Sequence, residues 1–270
     1  MTKLTHEQRK QAAEREKEYQ PTQAEKDQML TVRKSNQLIQ RNRFDMTIRE
    51  QRLLLYCISR IKPTDKGTET YQINIRDVCK SCGIDSTING GAYNAIREAI
   101  KKLDSYNFEI VDESRRKHIL HWIRSVVIDP EDSKRASIQF EFDPKIVPYL
   151  FNVRKFFTQY ELGGVLQMKS AYGIRLYELL KSYANIRKKK FDLAELRYLL
   201  GAEQASYDKY GLFRTKVIDP AMKDISTFSD LKADYIEIKD GRKVTGIEFI
   251  ITDIGGSAEW YERQGITVED

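Results

Sequence analysis

Three groups of residues in this chain have types and spacings that chemistry could use. Cys79 and Cys82 form a C-x-x-C, the spacing of half a zinc site or of a redox pair. A structural zinc normally takes four ligands, but there is no second pair, and Cys57 falls on the apolar face of a predicted helix. A redox pair belongs at a helix N-terminus, whereas this one comes late in a short helix, so the cysteines read as core residues. His118 and His121, in HILHW, are the only histidines away from the N-terminus. A rolling-circle nickase needs two histidines flanking one apolar residue, so that a strand points both at one metal. With two residues between them, these face opposite sides. No G-x-x-x-x-G-K-[ST] loop is present to cradle a nucleotide. The expectation is a protein that is not an enzyme and takes neither metal nor cofactor.

The third group is cationic. Lys and Arg number 46 against 40 acids in 270 residues, a formal charge of +6, so the distribution matters more than the sum. Between Thr31 and Ile61, Arg33, Lys34, Arg41, Arg43, Arg49, Arg52 and Arg60 face only Asp45 and Glu50. Arg115, Arg116 and Lys117 cluster in a turn, RKKK (187–190) includes Lys188 and Lys189, and Arg242 and Lys243 adjoin an Asp-Gly turn. Any one charged turn is ordinarily just solvated. Their coincidence with particular elements is what points to phosphates.

Those elements occur twice. In the first pass, TIREQRLLLYCISRIK is a helix with Thr47 as a possible N-cap, TYQINI a strand, and RDVCKSCGI a short helix stopped at Gly83. AYNAIREAIKKLDS then gives a helix with Ile96, Ala99, Ile100 and Leu103 inward, leaving Asn94, Arg97 and Lys101 outward or on the flank. NFEIVD, HILHWIRSVVID and ASIQFEFD follow as strands, with turns at ESRRK and PEDSKR.

The second pass runs from MKSAYGIRLYELLKSYANI, a helix, through a basic strand RKKKFDL to AELRYLLGA, a helix stopped at Gly201. KYGLFRTKVIDPAMKDI is its third helix, with Phe213, Val217, Ala221 and Ile225 on one stripe. Lys209, Thr215 and Lys216 lie off that stripe, and Tyr210 and Arg214 lie nearer its edge. KADYIEIKDGRKVTGIEFIIT closes the unit as a hairpin around Asp240-Gly241. Pro220 leaves two readings open: Asp219 caps a new helix with Pro220 at its first position, or one helix continues through a kink.

Long helix, strand, short helix, third helix and hairpin is the order of a winged helix, a helix-turn-helix variant whose third helix enters the major groove. The expected fold class is α+β: two tandem winged-helix domains with pseudo-twofold internal similarity. Residues 1–30 read as a flexible tail, 31–143 as the first winged helix, 144–252 as the second, and 253–270 as a second tail. No run approaches the roughly 18 apolar residues of a membrane span, the N-terminus is polar, and three cysteines suit a reducing compartment. A cytoplasmic protein without membrane attachment is expected.

The sequence resembles a known family at this point. VRKSNQLIQRNRFDMTIREQRLLLYCISRI is similar to the opening of the plasmid replication initiator (Rep) proteins that bind iterons. FFTQYELGGVLQMKSAYGIRLYELLKSY and YGLFRTKVIDPAMKDIS resemble that family's second unit and its recognition helix, with Asp224 where the family usually has Glu. The resemblance spans roughly residues 31 to 252 and implies binding to directly repeated iterons in double-stranded DNA and help in opening the adjacent origin. It also implies recruitment of the host helicase and host initiator. A monomer–homodimer equilibrium is implied as well, dimerising chiefly through the first unit and repressing the protein's own gene at an inverted repeat. It places base readout on Asn94, Arg97 and Lys101 and on Lys209, Arg214 and Lys216, and backbone contacts on Arg33 and Lys34.

Overall fold

The structure, a computed structural model, describes residues 30–260 except 44, 85–90, 112–113, 115, 131–135, 152 and 258. Most of both expected tails, the expected DSTINGG linker and Arg115 lie outside the described residues.

The described residues open with β1 (Thr31–Ser35) and a short helix α1 (Asn36–Arg41), whose N-cap Ser35 accepts the Leu38 N–H. The first long helix, α2 (Ile48–Ile58), starts at Thr47 as expected. Thr47 and Glu50 complete a capping box, each side chain accepting the other's backbone N–H. This helix is buried nearly all round, because Leu53 to Ile58 are all under 4 % exposed. Next come β2 (Tyr71–Asn74), α3 (Ile75–Ser81) and the third helix α4 (Gly91–Ser105). Gly83, with φ +62, follows α3 in the left-handed region that a residue with a Cβ rarely adopts.

Four strands follow: β3 (Asn107–Val111), β4 (Lys117–His121), β5 (Ile123–Ile128) and β6 (Ser137–Phe142). HILHWIRSVVID, expected as one strand, is broken at Trp122. Trp122 and Ile123 are neighbours and both fully buried, which a regular period-two strand cannot arrange. The chain therefore bends there and changes sheets: β4 pairs with β3, whereas β5 pairs with β6.

The second half contains α5 (Val147–Leu150), β7 (Phe157–Glu161), α6 (Leu162–Gln167), α7 (Ala171–Lys181), β8 (Lys188–Asp192) and α8 (Leu193–Leu200). A continuous helical segment, Tyr210 to Phe228, and the strands β9 (Leu231–Asp240) and β10 (Lys243–Asp253) complete it.

The internal repeat is visible in the sheets. One has strand order β2-β6-β5 and another β8-β10-β9. In each, the strand between a long helix and the short helix after it (β2 between α2 and α3, β8 between α7 and α8) pairs with the last strand of the closing hairpin. By that match β5–β6 is the wing of the first unit and β9–β10 that of the second; β3–β4 is an additional hairpin inserted before the first wing.

The two units share one hydrophobic core. The limits expected from sequence put β1 in one unit and β7 in the other, and these strands pair with each other from Thr31–Glu161 to Ser35–Phe157. Beneath that pair lies a buried polar cluster. Lys34 is 2 % exposed, with Nζ 2.5 Å from Oε1 of Glu178 on α7, and Tyr160 Oη donates to the same oxygen. Arg175, one turn earlier on α7, donates from Nε to the Leu199 carbonyl at 2.9 Å and from Nη2 to the Ile39 and Asn42 carbonyls. Burial lowers the pKa of the Lys34 ammonium, and the Glu178 charge opposes that shift.

Lys34→Met is therefore expected to cost about 3–5 kcal/mol, because it leaves a buried carboxylate unpaired. The check is the urea midpoint, with Lys34→Met/Glu178→Leu recovering most of the loss; simple additivity of the two single losses would contradict the coupling.

Candidate nucleic-acid interface

The helical segment Tyr210–Phe228 answers the proline question through its hydrogen bonding. Tyr210–Phe213 is α-helical, Arg214–Ile218 forms a π turn, and Asp219–Phe228 is α-helical again. The Asp219 N–H bonds to the Arg214 carbonyl, five residues back. Asp219 has helical dihedrals of −60° and −44°, so it is not an N-cap. A proline inside a helix lacks an N–H and crowds the carbonyl four residues back. The wider π turn just before Pro220 relieves that crowding and lets the helix continue. It also brings Ile218 inward beside Val217, so that Phe213, Val217, Ile218, Ala221 and Ile225 are all at most 1 % exposed.

The distal half is fixed to α7. Asp224 Oδ2 accepts the Lys169 and Ser170 N–H groups at 3.0 and 2.8 Å, holding the backbone that leads into α7, whose own N-cap Ser170 accepts the Tyr172 N–H. A Cβ on Gly173 would lie 2.5 Å from that oxygen, so glycine there is what admits the aspartate. The proximal half is then free to face outward. Lys209, Leu212, Thr215 and Lys216 are exposed, and a Cβ on Gly211 would meet nothing within 4 Å. Leu212, 41 % exposed, was not singled out from sequence. Its signal is an apolar side chain off the buried stripe, chemistry that suits a thymine methyl. The Thr215 hydroxyl donates to the Gly211 carbonyl at 2.9 Å.

Tyr210 and Arg214 are engaged rather than free. Tyr210 Oη donates to Oε1 of Glu237 on β9 at 2.7 Å, and Arg214 Nη1 lies 3.5 Å from the same oxygen. The wing turn is a two-residue loop, Gly241–Arg242, with Gly241 at φ +57, and it exposes Arg242 and Lys243. In the first unit, Asn94, Arg97 and Lys101 are exposed on α4, with Lys101 Nζ 3.1 Å from Glu98.

Several expected contacts are corrected. Lys34 cannot touch a phosphate, because it is buried against Glu178. Arg33 on the opposite face is exposed, forks onto Gln159 and lies 4.5 Å from the Phe157 ring centroid. The basic run between Thr31 and Ile61 is not one surface. Arg52 donates to the Cys82 and Met168 carbonyls, Arg43 pairs with Glu203 and Asp45, and Arg60 lies over Tyr56. Arg116 and Lys117 adjoin the turn of the inserted β3–β4 hairpin, not of the wing, and Lys117 pairs with Glu109 at 3.0 Å. Lys188 faces Ile250 on β10, so seven residues separate its register position from the wing turn, on the order of 20 Å. Lys189 lies over Tyr183 and Phe191. Neither reaches the recognition helix. The three cysteines are buried free thiols, as expected of core residues, and burial raises the pKa of Cys57 and Cys79.

Two family models match the chain: "Initiator Replication protein, WH1" over residues 31–181 and "Initiator Rep protein, WH2" over residues 192–251. A "Replication initiation protein" from Escherichia coli is 26% identical over 213 residues, which is 75% of this chain and 64% of that protein. The chain thus spans less than two thirds of the length of that relative. Among solved structures, that of the Pi initiator protein in complex with iteron DNA superposes with a TM-score of 0.65 at 19% identity, covering 84% of this chain and 98% of that one. Domains 2 and 3 of RctB superpose with a TM-score of 0.51 at 15% identity, covering 79% and 85%. These likenesses show a shared fold of two tandem winged helices.

Asp224→Ala should lower stability by about 1–3 kcal/mol, because it leaves the Lys169 and Ser170 N–H groups without their acceptor. The denaturation midpoint measures it, with a smaller loss for Asp224→Asn, whose amide oxygen still accepts.

Proposed function

The chain belongs to the initiator Rep protein family, and from that premise we propose that it is a sequence-specific, double-stranded-DNA-binding plasmid replication initiator. The observation that carries this reading is the outward-facing proximal half of the recognition helix. Lys209, Leu212 and Lys216 stand clear of a segment whose distal half Asp224 pins to α7, beside a wing whose turn exposes Arg242 and Lys243. Helix cations and a polar–apolar mixture suit base edges, and wing cations suit phosphates. Asn94, Arg97 and Lys101 would serve the first unit in the same way.

The reading extends to iterons, because the DNA held by the structurally similar Pi initiator is iteron DNA. It further includes origin opening, recruitment of host helicase and host initiator, a monomer–homodimer equilibrium, and autorepression at an inverted repeat. These follow from the family resemblance. No helix among the described residues is long and apolar enough to cross a membrane, in keeping with work on a cytoplasmic plasmid.

The decisive experiment supplies the protein to a host carrying a marker plasmid with the cognate origin. Replication supports the initiator; binding without replication leaves a transcriptional repressor, and a covalent tyrosyl–DNA adduct would reveal a nickase. Arg214→Ala should lose about 1–3 kcal/mol of specific binding and relax specificity, whereas Lys216→Ala should reduce the salt slope by about one if it touches a phosphate. Fluorescence anisotropy on specific and scrambled duplexes over a salt series separates the two.

A further inference from the structure

Arg214 is the only basic side chain on the proximal half of the recognition helix that has acidic partners among the described residues, and it has two. Nε lies 3.9 Å from Asp219 Oδ2 and Nη1 lies 3.5 Å from Glu237 Oε1. Each carboxylate is itself anchored by a tyrosine: Tyr235 Oη donates to Asp219 Oδ1 at 2.8 Å and Tyr210 Oη to Glu237 Oε1 at 2.7 Å. Lys239 Nζ closes the cluster at 3.0 Å from Glu237 Oε2. The result is a lattice between recognition helix and wing in which two positive and two negative groups balance.

We propose that Glu237, together with Asp219, is a positioning and specificity-determining residue: the tyrosine-anchored carboxylates hold the Arg214 guanidinium aimed off the helix and disfavour any duplex that offers it no base to read. The proposal rests on the DNA-reading function above and names how that site discriminates.

Three observations support it. First, the distances separate two kinds of contact. The tyrosine bonds are short, while 3.5 and 3.9 Å are charge contacts too long for good hydrogen bonds. The carboxylates are therefore fixed and the guanidinium is only steered, so it keeps N–H groups for a guanine edge. Second, the protonation states suit the task. The hydrogen bonds from Tyr210 and then Lys239 hold the Glu237 carboxyl below its usual range. Burial and the Asp219 bond push Tyr235 up to about 12, so it remains a donor. Third, the placement is selective. In the second unit Lys209, Lys216, Arg242 and Lys243 have no acidic partner among the described residues, and on the first unit's third helix Lys101 has the single neighbour Glu98, whereas Arg214 has two anchored carboxylates. The two carboxylates offset the attraction of Arg214 for the phosphates of any duplex, so the guanidinium adds to binding only where a base accepts its N–H groups. This is discrimination by penalising the wrong partner.

The test uses the full chain and two probes: the duplex that wild type enriches from a randomised pool, and a scrambled duplex of the same composition. Glu237→Gln keeps an amide oxygen for Tyr210 but removes the charge. Its binding to the scrambled duplex should tighten, and the enriched-to-scrambled affinity ratio should fall about tenfold, within the range one base-reading arginine carries. In an Arg214→Ala background the same change should alter that ratio less than about twofold, because the partner it acts through is gone. Tyr210→Phe, which adds no charge, should lower the ratio in the same direction. An unchanged ratio in Glu237→Gln, or a fall that persists undiminished without Arg214, overturns the proposal while leaving the DNA-binding function standing. Failure of the wild type to enrich any sequence overturns that function and this proposal with it.

Discussion

Lys34 and Glu178 sit where water does not reach, and the arrangement of the molecule turns on that ion pair. Taking both charges out of water is unfavourable, and a buried pair of this kind seldom raises stability above that of an apolar replacement. What it supplies is discrimination between registers. Along β1, Arg33 faces solvent and Lys34 faces α7. A slip of one residue against β7 would put Arg33 inside and leave Glu178 facing the wrong group. Arg175, donating to the carbonyls of Ile39, Asn42 and Leu199, fixes the chain on either side in the same way. The strand β1 is thereby locked onto α7.

That lock determines what the third helices can do. α7 receives β1 on one side and the recognition helix on another, through Asp224 and the space that Gly173 leaves for it. Anchoring only the distal half of the recognition helix leaves the proximal half projecting. A helix held along its full length would bury the residues that the proposed function directs at a groove. The π turn between the halves accommodates Pro220 and keeps Val217 and Ile218 in the core without breaking the helical axis.

Much of this was legible in the sequence, because the signals were local. The Thr47 cap, the glycine stops at 83 and 201, the apolar stripe of α4 and the Asp-Gly hairpin each depend on residues a few positions apart, and each stands where expected. What was not legible depends on partners far along the chain. The break at Trp122 had a local trace, two adjacent large apolar residues, but its cause is a change of sheet. Lys34 reads as a surface cation until Glu178, 144 positions later, is placed against it. Arg52, Arg43 and Arg60 failed as a basic surface for the same reason: their partners are backbone carbonyls, acids and a ring brought near only by folding. Charge counted along a sequence overstates charge available to a ligand.

The distribution that remains has a physical logic. A net charge of +6 on 270 residues gives only a modest long-range pull on a polyanion. Phosphate contacts give affinity but no sequence information, so a chain that displayed every cation would bind all duplexes alike. Here many cations are used internally, the wing turn and the flank of the recognition helix leave a few exposed that the proposed function assigns to phosphates, and Arg214, which it assigns to a base, has two carboxylates beside it. On the proposed reading, offsetting the charge of the reader while leaving the wing cations exposed would weight binding toward sequence over backbone. On that reading the acids Asp219 and Glu237 would belong to the binding surface as much as the lysines, and a search for basic clusters passes over them.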